Sequence, residues 1–128
     1  MRQRIVTAAV ACDYEALATL AHEKGEEFSF GFDEDKDVAA YWRKQEQAGQ
    51  PLLAQLVKVL NLPFTRSESL YVWPSAYGDA PKDADWKALE ALYPPERIAE
   101  LRKQQDGYTG FRVGIDESGD WMFALGGD

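Results

Sequence analysis

The chain has 128 residues, of which 45% are hydrophobic and 12% aromatic, enough to build the core of a single domain spanning residues 1–128. Its 22 acidic residues outnumber 14 basic ones, and a net charge of −8 repels phosphate backbones and anionic lipid headgroups, so we expect no nucleic-acid partner. One cysteine and one histidine exclude an internal disulfide and a zinc site of the Cys/His type.

The first periodic segment is MRQRIVTAAVAC, which we interpret as an amphipathic helix. Its apolar face is predicted to carry Ile5, Ala8, Ala9 and Cys12. The same segment has the outline of a lipoprotein export signal, but its apolar run of seven residues is at the lower limit for one. We therefore expect Cys12 to be a buried structural cysteine, and no membrane insertion of this chain, because no run approaches about 20 apolar residues.

A second helix is predicted after Asp13, a good capping residue, with Leu17, Leu20 and Ala21 on one face. The segment EEFSFGF alternates large and small side chains, which is typical of a strand with one aromatic face formed by Phe28, Phe30 and Phe32. Three phenylalanines on one side of a strand indicate burial of that side.

Residues Asp33, Asp35 and Asp37 have the opening spacing of a calcium-binding loop. Such a loop needs glycine at its sixth position and glutamate at its twelfth, and these positions hold Val38 and Lys44. We interpret the segment as a solvated loop whose last aspartates cap the following helix, and we predict no metal site.

That third helix is predicted from about Asp37 to Ala48, and Pro51 suits the first turn of a fourth helix. The fourth helix has an apolar stripe of Leu53, Leu56, Val57 and Leu60. Beyond Pro63, the segment SLYVWP predicts a second strand that ends at Pro74. Two short helices follow, one with Trp86 and Leu89 on its apolar face and one opening at Pro95.

The last predicted element is a hairpin, in which YTGFRVGI and DWMFALGG flank the turn DESG. With the preceding elements it predicts an α+β fold, a small and mainly antiparallel sheet of about four strands packed against several short helices. Strict alternation puts Phe111, Val113, Ile115, Trp121, Phe123 and Leu125 towards the helices. The reverse face is then expected to be flat and to carry Ser29, Gly31, Arg112, Gly114, Met122 and Ala124.

We identify no catalytic residues and no cofactor, because the sequence lacks a nucleophile elbow, a catalytic triad and a phosphate-binding loop. The segment LYVWPSAYGDAPKDADW does combine rings and carboxylates in Trp73, Tyr77, Asp79 and Trp86. These could bind a sugar or another small polar ligand. The alternative interpretation is that Trp73 and Trp86 anchor a long loop to the core.

Two resemblances to known proteins carry further expectations. The stretch AAVACDYEALATLAHE resembles the opening of NTF2-like domains, which would imply a ligand pocket and more strand between residues 35 and 105. The ending GFRVGIDESGDWMFALGGD, with LYVWP before it, resembles uncharacterised secreted proteins and lipoproteins of bacteria. This second resemblance implies an extracytoplasmic domain rather than a cytoplasmic one.

These observations favour a non-catalytic interaction module of the bacterial cell envelope, with an unknown protein or small polar ligand as partner. The reverse sheet face is its candidate docking surface, because glycine and alanine let another backbone approach, although a plain solvent face has the same composition. The alternative is a small enzyme or small-molecule carrier with a pocket near residues 71–86 and Asp79 as an acid or base.

Overall fold

Six helices and a four-stranded antiparallel sheet make up the described part of the computed structural model, residues 1–23, 28, 37–104 and 107–126. The predicted α+β class is confirmed. The helices are α1 (Arg2–Val10), α2 (Tyr14–Ala21), α3 (Val38–Gln47), α4 (Leu52–Leu60), α5 (Asp83–Ala88) and α6 (Pro95–Arg102). The strands are β1 (Thr65–Ser67), β2 (Leu70–Trp73), β3 (Arg112–Asp116) and β4 (Trp121–Leu125).

The helices begin where the capping residues predict. The side chain of Asp13 accepts a hydrogen bond from the Ala16 N–H at 3.0 Å, and that of Asp37 accepts one from the Ala40 N–H at 3.1 Å. Each cap satisfies a backbone donor that the first helical turn leaves unpaired. Pro51 directly precedes α4, as expected of a residue that cannot donate a backbone hydrogen bond.

The strands lie in the sheet in sequence order, β1-β2-β3-β4, and every neighbouring pair is antiparallel. The predicted strand at SLYVW and the C-terminal hairpin are confirmed as β2 and as β3 with β4. Strand β1 has only three residues and is not predicted by the sequence pattern. Of the strand predicted around Phe28, only Phe28 is described, and it is buried in the core, while residues 29–36 lie outside the described ranges.

The main core lies between the sheet and helices α1 to α4. Its centre is a cluster of three rings, in which Trp42 of α3 stacks on Trp121 of β4 with centroids 5.4 Å apart. The Phe28 ring meets both edge-on, at 4.8 Å from Trp121 and 6.1 Å from Trp42. The helices therefore hold the sheet through aromatic contacts as well as aliphatic ones.

A second, smaller cluster is formed by α5, α6 and the short turns beside them, with Ala76, Trp86, Leu89, Ile98, Leu101 and Tyr108 buried in it. Leu62 and Leu92 pack against both clusters and so connect them. Two tyrosines hold the start of β3 to this cluster. The Tyr108 hydroxyl donates to the Phe111 carbonyl at 2.7 Å, and the Phe111 N–H donates to the Tyr93 hydroxyl at 2.8 Å.

The predicted alternation along β4 is wrong. Val113 pairs with Ala124 and Gly114 pairs with Phe123, but Ile115 pairs with Trp121, so Met122 has no partner in this register. Because paired residues share a face, Ala124 lies on the helix side with Val113 and Phe123 lies on the reverse side with Gly114. The extra residue is a β-bulge, which moves the following side chains to the opposite face.

The reverse face is consequently not flat at Gly114. The Phe123 ring covers this glycine, and a Cβ atom at position 114 would lie 2.3 Å from Phe123 Cε2. Gly114 is buried, so it cannot take part in direct contact with another backbone while Phe123 keeps this position. Arg112 and Met122 are half-buried, and Ser29 and Gly31 lie outside the described residues.

The prediction for Cys12 is also wrong, because α1 ends at Val10 and leaves Cys12 exposed in the turn beyond it. The Cys12 N–H donates to the Ala9 carbonyl and the Asp13 N–H donates to the Ala8 carbonyl, both at 3.0 Å. These two hydrogen bonds define the Schellman motif. In this motif the residue directly after the C-cap has the left-handed backbone conformation and is usually glycine. Cys12 has that conformation, with φ +54°.

We expect Cys12→Gly to stabilise the protein by about 1 kcal/mol relative to Cys12→Ala, because a β-carbon is strained in the left-handed region and glycine has none. Unfolding of both variants in urea measures this difference. Equal midpoints for the two variants would show that the turn relaxes without strain.

Candidate functional site

The structure does not bring the two tryptophans of the predicted ligand site together in one cluster. Trp73 belongs to the main core and Trp86 to the second cluster, and each is 7% exposed. Tyr77 is half-buried against the second cluster. These rings anchor the segment to the core, which was the alternative interpretation of the sequence.

The carboxylates of the same segment have structural surroundings. Asp79 is exposed and makes no hydrogen bond or ion pair within the described part of the chain. Asp85 accepts a hydrogen bond from the Ser75 hydroxyl at 2.6 Å and another from the Lys82 N–H at 2.7 Å. The Ser75 bond first, and then the Lys82 bond, hold the pKa of Asp85 below its usual value, so this group is a poor proton donor near neutral pH.

The predicted calcium loop can be followed only at its last aspartate. Asp37 caps α3, as expected, whereas Asp33 and Asp35 lie outside the described residues. Within residues 1–23, 28, 37–104 and 107–126, no group of three or more His, Cys, Asp or Glu side chains could hold a metal ion.

An exposed aromatic surface lies instead where the chain passes from α4 into the sheet. Phe64 is 52% exposed, and its ring centroid lies 5.6 Å from that of Tyr71 and 5.3 Å from that of Trp73. The guanidinium carbon of Arg66 lies 5.4 Å from the centroid of the Tyr71 ring. We call Phe64, Arg66 and Tyr71 the Phe64 patch.

The backbone around the Phe64 patch is fixed on both sides of it. The Ser75 N–H donates to the Pro63 carbonyl at 2.8 Å, and Thr65 pairs with Val72 in the sheet. Arg66 and Tyr71 are directly paired, so their side chains share a face. Arg66 also forms an ion pair with Glu117, with a 3.0 Å distance between nitrogen and oxygen. The backbone that carries the patch is therefore held by hydrogen bonds on both sides of Phe64.

The chemistry that the Phe64 patch offers is binding rather than catalysis. It combines an exposed phenyl ring, a phenol and a guanidinium group, and all three side chains are enriched in protein interfaces. Phe64 is not among the site residues that the sequence predicts. The available signal was that Phe64 directly follows Pro63 and lies between two predicted elements. Neither a helix pattern nor a strand pattern therefore assigns its side chain to a core.

Comparison of the chain with protein-family models, with curated proteins and with solved structures finds no match. The expected relationships to NTF2-like domains and to bacterial secreted proteins remain predictions. In the part of the chain that the structure covers, no helix has the length and apolar character needed to cross a membrane.

Proposed function

We propose that this protein is a non-catalytic interaction module that binds another protein through the Phe64 patch. The observation that carries the proposal is the half-exposed Phe64 ring, which contacts two further rings of the sheet. Burying an aromatic side chain in a contact stabilises that contact by about 1.5–3 kcal/mol. Little of this free energy is offset by lost side-chain entropy on binding, because the neighbouring strands and the Tyr71 ring already restrict Phe64.

Arg66 adds a polar component to the proposed contact. Its position over the Tyr71 ring and its ion pair with Glu117 keep the guanidinium group at a ring that Phe64 also contacts. A partner with a carboxylate or a carbonyl at the edge of an apolar surface would complement this arrangement.

We expect Phe64→Ser to weaken binding of the partner about tenfold or more, because the variant removes most of the apolar area of the patch. The partner is first captured with a photo-crosslinking phenylalanine analogue at position 64, in the cells that produce the protein. Affinity of the purified partner for each variant is then measured by calorimetry.

Val10→Ser is the matched control, because Val10 is the other large hydrophobic residue exposed in the described part of the chain, at 69%. It lies in α1 and is not part of the Phe64 patch. If Val10→Ser abolishes binding and Phe64→Ser leaves it unchanged, the Phe64 patch is not the contact surface.

We also propose that the module works in the bacterial cell envelope, as the resemblance of its ending to secreted proteins and lipoproteins implies. Fractionation of cells that express the complete natural gene with a C-terminal tag tests this location. Recovery of the tagged protein only in the cytoplasm would contradict it.

A further inference from the structure

A groove of about 450 Å³ separates the end of α1 from the beginning of α4. The two helices run antiparallel, since the Arg2 Nε at the start of α1 donates to the Leu60 carbonyl at the end of α4, at 2.6 Å. Apolar side chains form most of the groove surface, with Ala9 and Val10 on one side and Leu53, Ala54 and Val57 on the other. Its volume falls in the range of small-molecule sites.

The polar groups at this groove are mainly hydrogen-bond donors. The Cys12 thiol, the Tyr14 hydroxyl and the Lys58 ammonium line it, and none of the three makes a side-chain hydrogen bond within the described part of the chain. Burial, followed by the charge of Glu46, raises the pKa of Tyr14, so its phenol stays a neutral donor. Donors without partners suit a ligand that carries an acceptor.

Glu46 is the carboxylate of the groove, and its position is explained by the protein itself. Its Oε1 accepts a hydrogen bond from the Leu53 N–H at 2.7 Å, at the first turn of α4. There the carboxylate satisfies an unpaired backbone donor and is favoured by the helix dipole. Lys58, in contrast, makes no hydrogen bond or ion pair within the described part of the chain.

The charge of the surrounding sequence supports an anionic ligand. The chain as a whole carries a net charge of −8, yet residues 1–12 and 47–67 contain no aspartate or glutamate. Helices α1 and α4, which come from these segments, contribute Arg2, Arg4 and Lys58 instead. Arg4 is ion-paired with Glu23, and Arg2 is hydrogen-bonded to Leu60 and Asn61, so Lys58 is the cation of these two helices that lines the groove.

From these observations we infer that the groove binds a small amphiphilic carboxylate, which goes beyond the proposed protein contact and uses a different surface. The apolar chain of the ligand packs against Val10, Ala54 and Val57. Its carboxylate is held by the Lys58 ammonium and the Tyr14 hydroxyl, with charge-assisted hydrogen bonds.

The single cysteine of the chain provides a direct measure of occupancy, because Cys12 lines the groove and its thiol is exposed. The rate of Cys12 alkylation by iodoacetamide is followed during titration with decanoate, decanol and decyltrimethylammonium, which share a ten-carbon chain and differ in charge. We expect decanoate to slow alkylation saturably, with a Kd of about 1 mM or tighter, and the other two to bind at least tenfold more weakly. Chemical shifts of backbone amides give a second readout that does not depend on the thiol.

Charge variants at an exposed groove position test the polarity of the site. Ala54 lies on the exposed side of α4, so Ala54→Glu and Ala54→Lys should both fold. We expect Ala54→Glu to abolish decanoate protection, Ala54→Lys to strengthen it, and Lys58→Gln to weaken it about tenfold. Lys87→Gln, on the exposed surface of α5, is the control that should change nothing.

Four results would each overturn the proposal. Equal protection by all three amphiphiles means adsorption to an apolar surface, and stronger protection by the cation means that Glu46 determines selectivity. Protection that rises with protein concentration alone makes a second copy of this chain the occupant. Unchanged alkylation rates and amide shifts with decanoate mean that the groove does not bind it.

Discussion

Trp42→Ala is expected to lower the free energy of unfolding by about 3–5 kcal/mol, the usual effect of removing a large buried aromatic side chain. Trp42 is 2% exposed and stacks on Trp121, with Phe28 against both rings. Because small domains are stable by only about 5–15 kcal/mol, a loss of this size removes a large fraction of the total stability. Urea unfolding followed by far-ultraviolet circular dichroism measures the change.

Trp42→Phe is the matched variant for this prediction, since it keeps a ring beside Trp121 and leaves a smaller cavity. We expect it to lose clearly less stability than Trp42→Ala. If both variants lose the same amount, the ring that Trp42→Phe keeps contributes nothing, and the stability depends on the indole itself. If Trp42→Ala loses less than about 1 kcal/mol, the ring cluster is not the centre of the core.

The second large effect is expected from Tyr108→Phe, which removes the hydroxyl that donates to the Phe111 carbonyl and keeps the ring in the second cluster. The Tyr108 ring and Phe111 are both buried, so water cannot replace the lost hydroxyl easily. An unsatisfied buried acceptor costs about 1–3 kcal/mol. Tyr77→Phe is the control, because Tyr77 packs against the same cluster and its hydroxyl has no hydrogen-bond partner in the described part of the chain.

Tyr108 also predicts a dependence on alkaline pH. Burial, and then the neighbouring Tyr93, raise the pKa of Tyr108 above its ordinary value near 10. The folded protein therefore keeps the Tyr108 proton at a pH where the unfolded chain releases it, and stability falls as pH rises above about 10. In Tyr108→Phe the loss of stability above about pH 10 should be smaller, because one titrating hydroxyl is missing. An unchanged dependence of stability on pH would show that Tyr108 does not cause it.

Much of the fold follows from the sequence because its signals are local. Asp13 and Asp37 cap helices through their own side chains, and the DESG turn closes a hairpin between two apolar runs. The faces of β4 could not be predicted in the same way. The bulge at Met122 depends on the pairing with β3, and a single inserted residue moved Phe123 to the reverse face and Ala124 to the helix side.

The candidate surfaces were harder to predict because the same residue types serve cores and binding sites. Trp73 and Trp86 gave the strongest aromatic signal in the sequence, and the structure buries both. Phe64 gave a weak aromatic signal. Its exposure follows from its two neighbours, because Pro63 is hydrogen-bonded to the turn after β2 and Thr65 is paired with β2. Cys12 was predicted to be buried because its spacing continues that of α1, but the helix ends two residues before it.

The contact between Trp42 and Trp121 has a consequence for folding during synthesis. Helices α1 to α4 are made first, but the strand that stacks on Trp42 follows about 80 residues later. Contacts between residues so distant in sequence form slowly, because a long loop must close before they stabilise the chain. Until Trp121 has left the ribosome, the apolar faces of the four helices lack their sheet, so the nascent chain is a substrate for chaperones during that interval.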